Sequence, residues 1–150
     1  MTTTLTRAAI VAAARDWIGT PYRHQASVKG VGTDCLGLVR GVWREVTGAE
    51  PETPPAYTPD WAESGGGEEM AEAARRHMTE IALAEARKGD VVLFRMRPKG
   101  PAKHAAILTG PDRMVHAWSG RAVVETGLGR WWCVRMAYAF SFPALPTFKD

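Results

Sequence analysis

Cys35 is the side chain in this chain best placed for nucleophilic chemistry. It lies in the stretch Gly32-Thr33-Asp34-Cys35-Leu36-Gly37-Leu38-Val39. Thr33 and Asp34 both belong to the residue types that cap helix N-termini with a side-chain oxygen. Beyond them Leu38, Val39, Val42, Trp43 and Val46 recur at three- and four-residue spacing, and Gly48 ends the pattern. That periodicity predicts an amphipathic helix beginning at Cys35. A thiol in such a first turn meets unpaired N–H groups and the positive end of the helix dipole, which favour the thiolate. The plain alternative is a small core residue, since free cysteine is often buried. Flanking Gly32 and Gly37, which allow a substrate to approach closely, favour the nucleophile.

A nucleophilic thiol needs a base. His104 and His116 stand twelve positions apart, on two stretches that read as adjacent strands joined by a tight turn. One imidazole can take the proton of Cys35 while the other orients it. Each histidine taken alone reads better as a hydrogen-bonded core or surface residue. A zinc site drawn from Cys35, His104, His116 and Cys133 or His24 is a further alternative, but no pair has the close ligand spacing typical of zinc. No metal and no cofactor are expected. A Cys35–Cys133 bridge would consume the proposed nucleophile, and two cysteines so far apart do not form a disulfide framework.

The elements that must position these residues fall into two groups. Thr6 can cap a first helix running to about Ile18, with Ile10, Val11, Ala14, Trp17 and Ile18 on one face and Gly19 closing it. The segment from Gly19 to Thr33 reads as a loop, and the Cys35 helix follows. Proline and glycine make Ala49 to Gly67 irregular. Glu68 to Met78 reads as a third helix with Met70, Ala73, Ala74 and His77 along one stripe. Val91–Phe94, His104–Thr109, Met114–Trp118, Ala122–Glu125 and Val134–Phe142 then read as strands, several separated by short turns. Helices first and strands afterwards predict an α+β domain, its helices packed on one antiparallel sheet.

Composition sets the limits. A chain of 150 residues, 45% hydrophobic and 23% charged, is long enough for one domain spanning the whole sequence with a sizeable core. A net charge of +3 suits an anionic partner, but no run of Lys and Arg marks a nucleic-acid surface. The apolar stretch Ala8–Ala14 is ended by Arg15 and Asp16, too short for membrane insertion, and it lacks the basic start and cleavage site of a signal peptide.

Five motifs occur in order: Gly19-Thr20-Pro21-Tyr22, Asp34-Cys35-Leu36-Gly37-Leu38-Val39, Gly89-Asp90-Val91-Val92-Leu93-Phe94, His104-Ala105-Ala106-Ile107 and Val115-His116-Ala117. The succession, from about Ala8 to Ala117, resembles the NlpC-type cell-wall peptidases, a papain-like family of peptidoglycan hydrolases. The resemblance implies a papain-like α+β fold with Cys35 as nucleophile, His104 as general base and His116 as the third polar residue. It also implies that Tyr22 lies beside the nucleophile and helps hold the oxyanion, although Tyr22 reads equally as loop packing. Asp34 and Leu36 would then flank the nucleophile in the substrate cleft. Leu36 replaces the small residue usual after the cysteine, and His24-Gln25-Ala26 replaces a glycine pair, so both changes bear on peptide specificity.

The implied substrate is the peptidoglycan stem peptide, cut at a D-glutamyl–diamino acid bond. The wording Pro-Tyr-Arg-His-Gln and Asp-Cys-Leu-Gly-Leu-Val-Arg-Gly-Val-Trp looks most like the branch found in phage tail and gene-transfer-agent clusters. That implies an enzyme carried on a phage-like particle, assembled in the cytoplasm, docked on tail-tip or baseplate proteins and acting on the periplasmic wall. Tyr57 and Trp61 are candidate docking aromatics, or else they fold back on their own domain. The competing expectations are a catalytically idle structural tail component and an intracellular wall-peptide recycling peptidase.

Overall fold

The computed structural model describes residues 5–50, 67–143 and 145. Most of the segment 49–67, with Tyr57 and Trp61, lies outside the described residues. Helix α1 (Arg7–Arg15) begins where the Thr6 hydroxyl accepts the Ala9 N–H at 3.1 Å. It buries Ile10, Val11 and Ala14. The helix ends before the expected Ile18, which is 45% exposed, while Trp17 turns inward and is buried. A small antiparallel pair, β1 (Ser27–Val28) and β2 (Gly32–Thr33), occupies the segment read as loop.

Helix α2 (Cys35–Thr47) carries the predicted apolar face and ends at Gly48, whose φ of +90° suits a glycine cap. At Gly41 it meets the turn that follows α1, where a Cβ would overlap the Trp17 ring. Helix α3 (Glu69–His77) follows the third predicted helix but buries Met70 and Ala71 rather than the full expected stripe. Residues 79–81, not read as a strand from the sequence, form β3 (Thr79–Ile81).

The remaining strands are β4 (Val91–Arg95), β5 (Ala102–Gly110), β6 (Arg113–Ala117), β7 (Val123–Gly127) and β8 (Met136–Ser141). Helix α4 (Arg130–Cys133) is a single turn before β8 that the periodicity did not reveal. The six-stranded sheet runs in the order β3-β8-β4-β5-β6-β7, with every pairing antiparallel. The α+β architecture expected from helices followed by strands is the one observed.

Strand alternation sorts the sheet into two faces. Val91, Leu93, Ala105, Ile107, Val115 and Phe140 pack with Ile10, Trp17, Leu38 and Val42 of the helical layer. Val92, Phe94, Ala106, Leu108, Met114 and Ala139 form a second cluster on the other face. Arg7 ties the layers together: its guanidinium donates to Asp90 Oδ1 at 2.7 Å and to the Lys88 carbonyl at 3.0 Å. The Ser141 hydroxyl donates to the same Asp90 oxygen at 2.7 Å, so α1, β8 and the start of β4 share one buried carboxylate. Among the described residues no helix is long and apolar enough to cross a membrane.

Two irregularities shape the region around His104. Phe94 pairs with His104 but Arg95 pairs with Ala102, so Lys103 bulges out of the β4–β5 ladder. The β5–β6 ladder runs only from Gly110–Arg113 to Ile107–Val115, whereas β6 stays paired with β7 as far as Ala117. That leaves the β5 stretch around His104 open on its β6 side.

The Gly41 contact yields a direct test. Gly41→Ala must push Trp17 or separate the helices, so overpacking should cost about 2 kcal/mol in urea unfolding. An unchanged midpoint would contradict the close contact between Gly41 and the Trp17 ring.

Candidate active site

The first turn of α2 is held by one carboxylate. Asp34 Oδ1 accepts the Gly37 N–H at 2.7 Å as the helix cap, and Oδ2 accepts the Gln25 N–H at 2.8 Å. Thr33, the other predicted cap, instead donates its hydroxyl to the Asp34 carbonyl at 3.0 Å. Gln25 sits at φ +66°, a conformation that favours glycine. The loop therefore retains a glycine-like backbone although the usual glycine pair is absent. It approaches α2 so closely that a Cβ on Gly37 would overlap the Ala26 carbonyl oxygen.

This cap presents Cys35 to the open part of β5. Its half-buried thiol lies 3.8 Å from the bulged Lys103 carbonyl, and the Ala105 N–H stabilises the thiolate form. The sulfur thus touches the backbone on both sides of His104. The expectation of a lowered thiol pKa is not met. Burial, followed by the nearby Asp34 charge, pushes the thiol up to about 12, outweighing the N–H groups of Ala105, Leu36 and Cys35 itself. Cys35 and Cys133 are both free thiols.

His104 and His116 are brought together directly. His104 Nε2 lies 2.8 Å from His116 Nδ1, and His116 Nε2 lies 3.3 Å from Thr126 Oγ1. Both imidazoles are buried. Trp132 stacks on His104 with ring centres 5.4 Å apart, Trp118 meets it edge-on at 5.2 Å, and Phe94 lies 6.0 Å away. This dry aromatic enclosure disfavours the imidazolium. Burial, then the neighbouring His116, takes His104 down to about 3, and burial takes His116 down to about 4. Charging the thiol or an imidazole alone is therefore costly. A proton passed from sulfur to imidazole creates opposite charges together, whose attraction offsets part of that cost.

The other predicted site residues fall around the thiol. Tyr22 is half-buried, bridges to Thr33, and has its hydroxyl pushed up to about 12 by burial and then by the charges of Cys35 and Asp34. Leu36 is partly accessible beside Cys35, while His24 is exposed on the loop. Among the described residues no group of three His, Cys, Asp or Glu side chains is arranged to hold a metal ion. Thr126, Trp118 and Trp132 escaped the sequence reading. Only strand alternation linking Val124, opposite His116, to Thr126 could have pointed to the threonine.

A thiol on a helix start, set against a strand that carries a paired imidazole, defines a papain-like cysteine-peptidase arrangement. Residues 19–138 match the NlpC/P60 family, and the chain belongs to that family. It is 31% identical over 125 residues to Protein P54 of Enterococcus faecium, a match covering 83% of this chain and 20% of that protein. The chain thus spans about a fifth of that relative. The crystal structure of the NlpC/p60 domain of the peptidoglycan hydrolase SagA is 31% identical, with a TM-score of 0.65, covering 91% of this chain and 99% of that one. RipD of Mycobacterium tuberculosis, described as a non-catalytic NlpC/p60 domain protein adapted to peptidoglycan binding, shares the fold at 16% identity and a TM-score of 0.56. It covers 93% of this chain and 98% of its own.

The buried imidazoles carry a consequence for stability. Their folded pKa values lie below the ordinary histidine value near 6.5, so the unfolded chain binds more protons between about 3 and 6.5. Stability is fully present above that window and is lost as pH falls through it. The Tm should drop by several degrees between pH 7 and 5, and His116→Gln should flatten the slope. A flat wild-type profile would contradict two neutral buried imidazoles.

Proposed function

We propose that this domain is a cysteine endopeptidase acting on peptidoglycan stem peptides, with Cys35 as nucleophile, His104 as general base and His116 as its orienting partner. The observation that carries this is the 2.8 Å contact between His104 Nε2 and His116 Nδ1, with the thiol against the backbone on either side of His104. Because His104 Nε2 is engaged, Nδ1 is the nitrogen left to take the thiol proton. Sulfur then attacks the scissile carbonyl carbon. The oxyanion is met by the Cys35 N–H at the helix start, with Tyr22 beside it. His104 returns the proton to the leaving amine, and water hydrolyses the thioester with the same imidazole as base.

Specificity rests on coarser support. Net positive charge suits a stem peptide bearing carboxylates. The D-glutamyl–diamino acid bond is the one that the family resemblance implies. The motif wording around Tyr22 and Cys35 supports carriage on a tail-like particle that docks on tail-tip or baseplate proteins. Immunoblotting of gradient-purified particles tests that: the protein should band with them, and its confinement to the cytosol would favour a recycling peptidase.

Mass spectrometry of sacculi incubated with the protein tests the activity. The wild type should release peptide-cleaved fragments, and Cys35→Ala should release none while remaining folded. His104→Ala should lose more activity than His116→Ala, and His116→Asn or His116→Gln should retain more than the alanine variant because an amide oxygen still accepts the Nε2–H. Binding to sacculi without cleavage by the wild type would instead make it a wall-binding domain.

A further inference from the structure

We infer that Thr126 is a positioning residue that selects the working tautomer of the histidine pair; this rests on the proposed roles of Cys35 and His104. Thr126 lies on β7 opposite Met114, and Val124 lies opposite His116, so the threonine is the diagonal same-face neighbour of His116. Its Oγ1 is 3.3 Å from His116 Nε2, and His116 Nδ1 is 2.8 Å from His104 Nε2. The three groups form one chain across β7, β6 and β5, ending at His104, whose neighbour Lys103 has its carbonyl 3.8 Å from the Cys35 thiol.

Two proton arrangements fit the histidine contact. In the first, His116 carries its proton on Nε2, donates it to Thr126 Oγ1, and accepts the Nε2–H of His104. His104 Nδ1 is then bare and able to take the thiol proton. In the second, His116 carries its proton on Nδ1 and donates it to His104 Nε2. The His104 proton then sits on Nδ1, the nitrogen needed as base. The first arrangement places an N–H donor on the buried far side of His116, and such a donor is costly without an acceptor. Thr126 Oγ1 is that acceptor; in the second arrangement its hydroxyl would donate to the bare Nε2 instead, so its loss orphans a donor in the first arrangement and only an acceptor in the second, and the buried donor is the costlier to leave unpaired. Thr126 also supports His116 as the acceptor for His104 when the latter becomes positively charged.

Thr126→Val preserves shape and β-branching but removes the acceptor, while Thr126→Ser restores it. Nitrogen-15 NMR of the imidazoles in the free protein should show His116 protonated at Nε2 in the wild type and Thr126→Ser. Thr126→Val should shift population to Nδ1–H. On a soluble stem peptide, kcat should fall about three- to tenfold in Thr126→Val with KM within about twofold, and Thr126→Ser should recover most of it. An unchanged tautomer in Thr126→Val overturns the inference, whether or not kcat falls. Failure of the wild type to cleave any stem peptide would overturn the peptidase proposal, leaving the tautomer to be decided by the spectra alone.

Discussion

The two hydrogen bonds accepted by Asp34 set the geometry on which the site depends. One oxygen fixes where α2 begins and the other holds the preceding loop at Gln25, so the carboxylate determines how Cys35 meets β5. An N-cap of this kind contributes about 0.5–2 kcal/mol. It also supports the left-handed backbone at Gln25, which a glycine would adopt more readily. The same charge opposes ionisation of both Cys35 and Tyr22. In the proposed mechanism the thiol is therefore positioned against its acidity, and the imidazole pair must compensate.

That compensation comes from the opposite side of the sheet. The Lys103 bulge and the early end of the β5–β6 ladder expose backbone around His104, and the thiol from the helical layer reaches that opening. The histidines lie on the other face under Trp118 and Trp132. Helical and aromatic layers thus approach each other where the strands part. Both imidazoles are buried, which strengthens any charge pair formed there.

Much of this was legible in the chain because it rests on local chemistry. The Asp34 cap, the apolar face from Leu38 to Val46 and the glycine stop at Gly48 each leave a mark within a few residues. The strand pattern likewise showed His104 and His116 on neighbouring strands. The bulge at Lys103, the partner of His116 on β7 and the turn bearing Trp132 were hidden, since register and bulges arise from long-range pairing. The thiol pKa departs from its expectation for the same reason: a helix start argues for acidity, but the burial that outweighs it depends on the packed sheet. Ile18 carries the helical spacing yet faces solvent, because α1 ends three residues earlier.

The central claim, that Cys35 attacks the peptide carbonyl, is tested most directly by intact-protein and peptide-mapping mass spectrometry after rapid acid quenching of turnover with a stem peptide. The account predicts an acyl group joined through a thioester to the peptide containing Cys35, absent from Cys35→Ala and lost as deacylation proceeds. Turnover in Cys35→Ala, or an acyl group found on Cys133 instead, would contradict it.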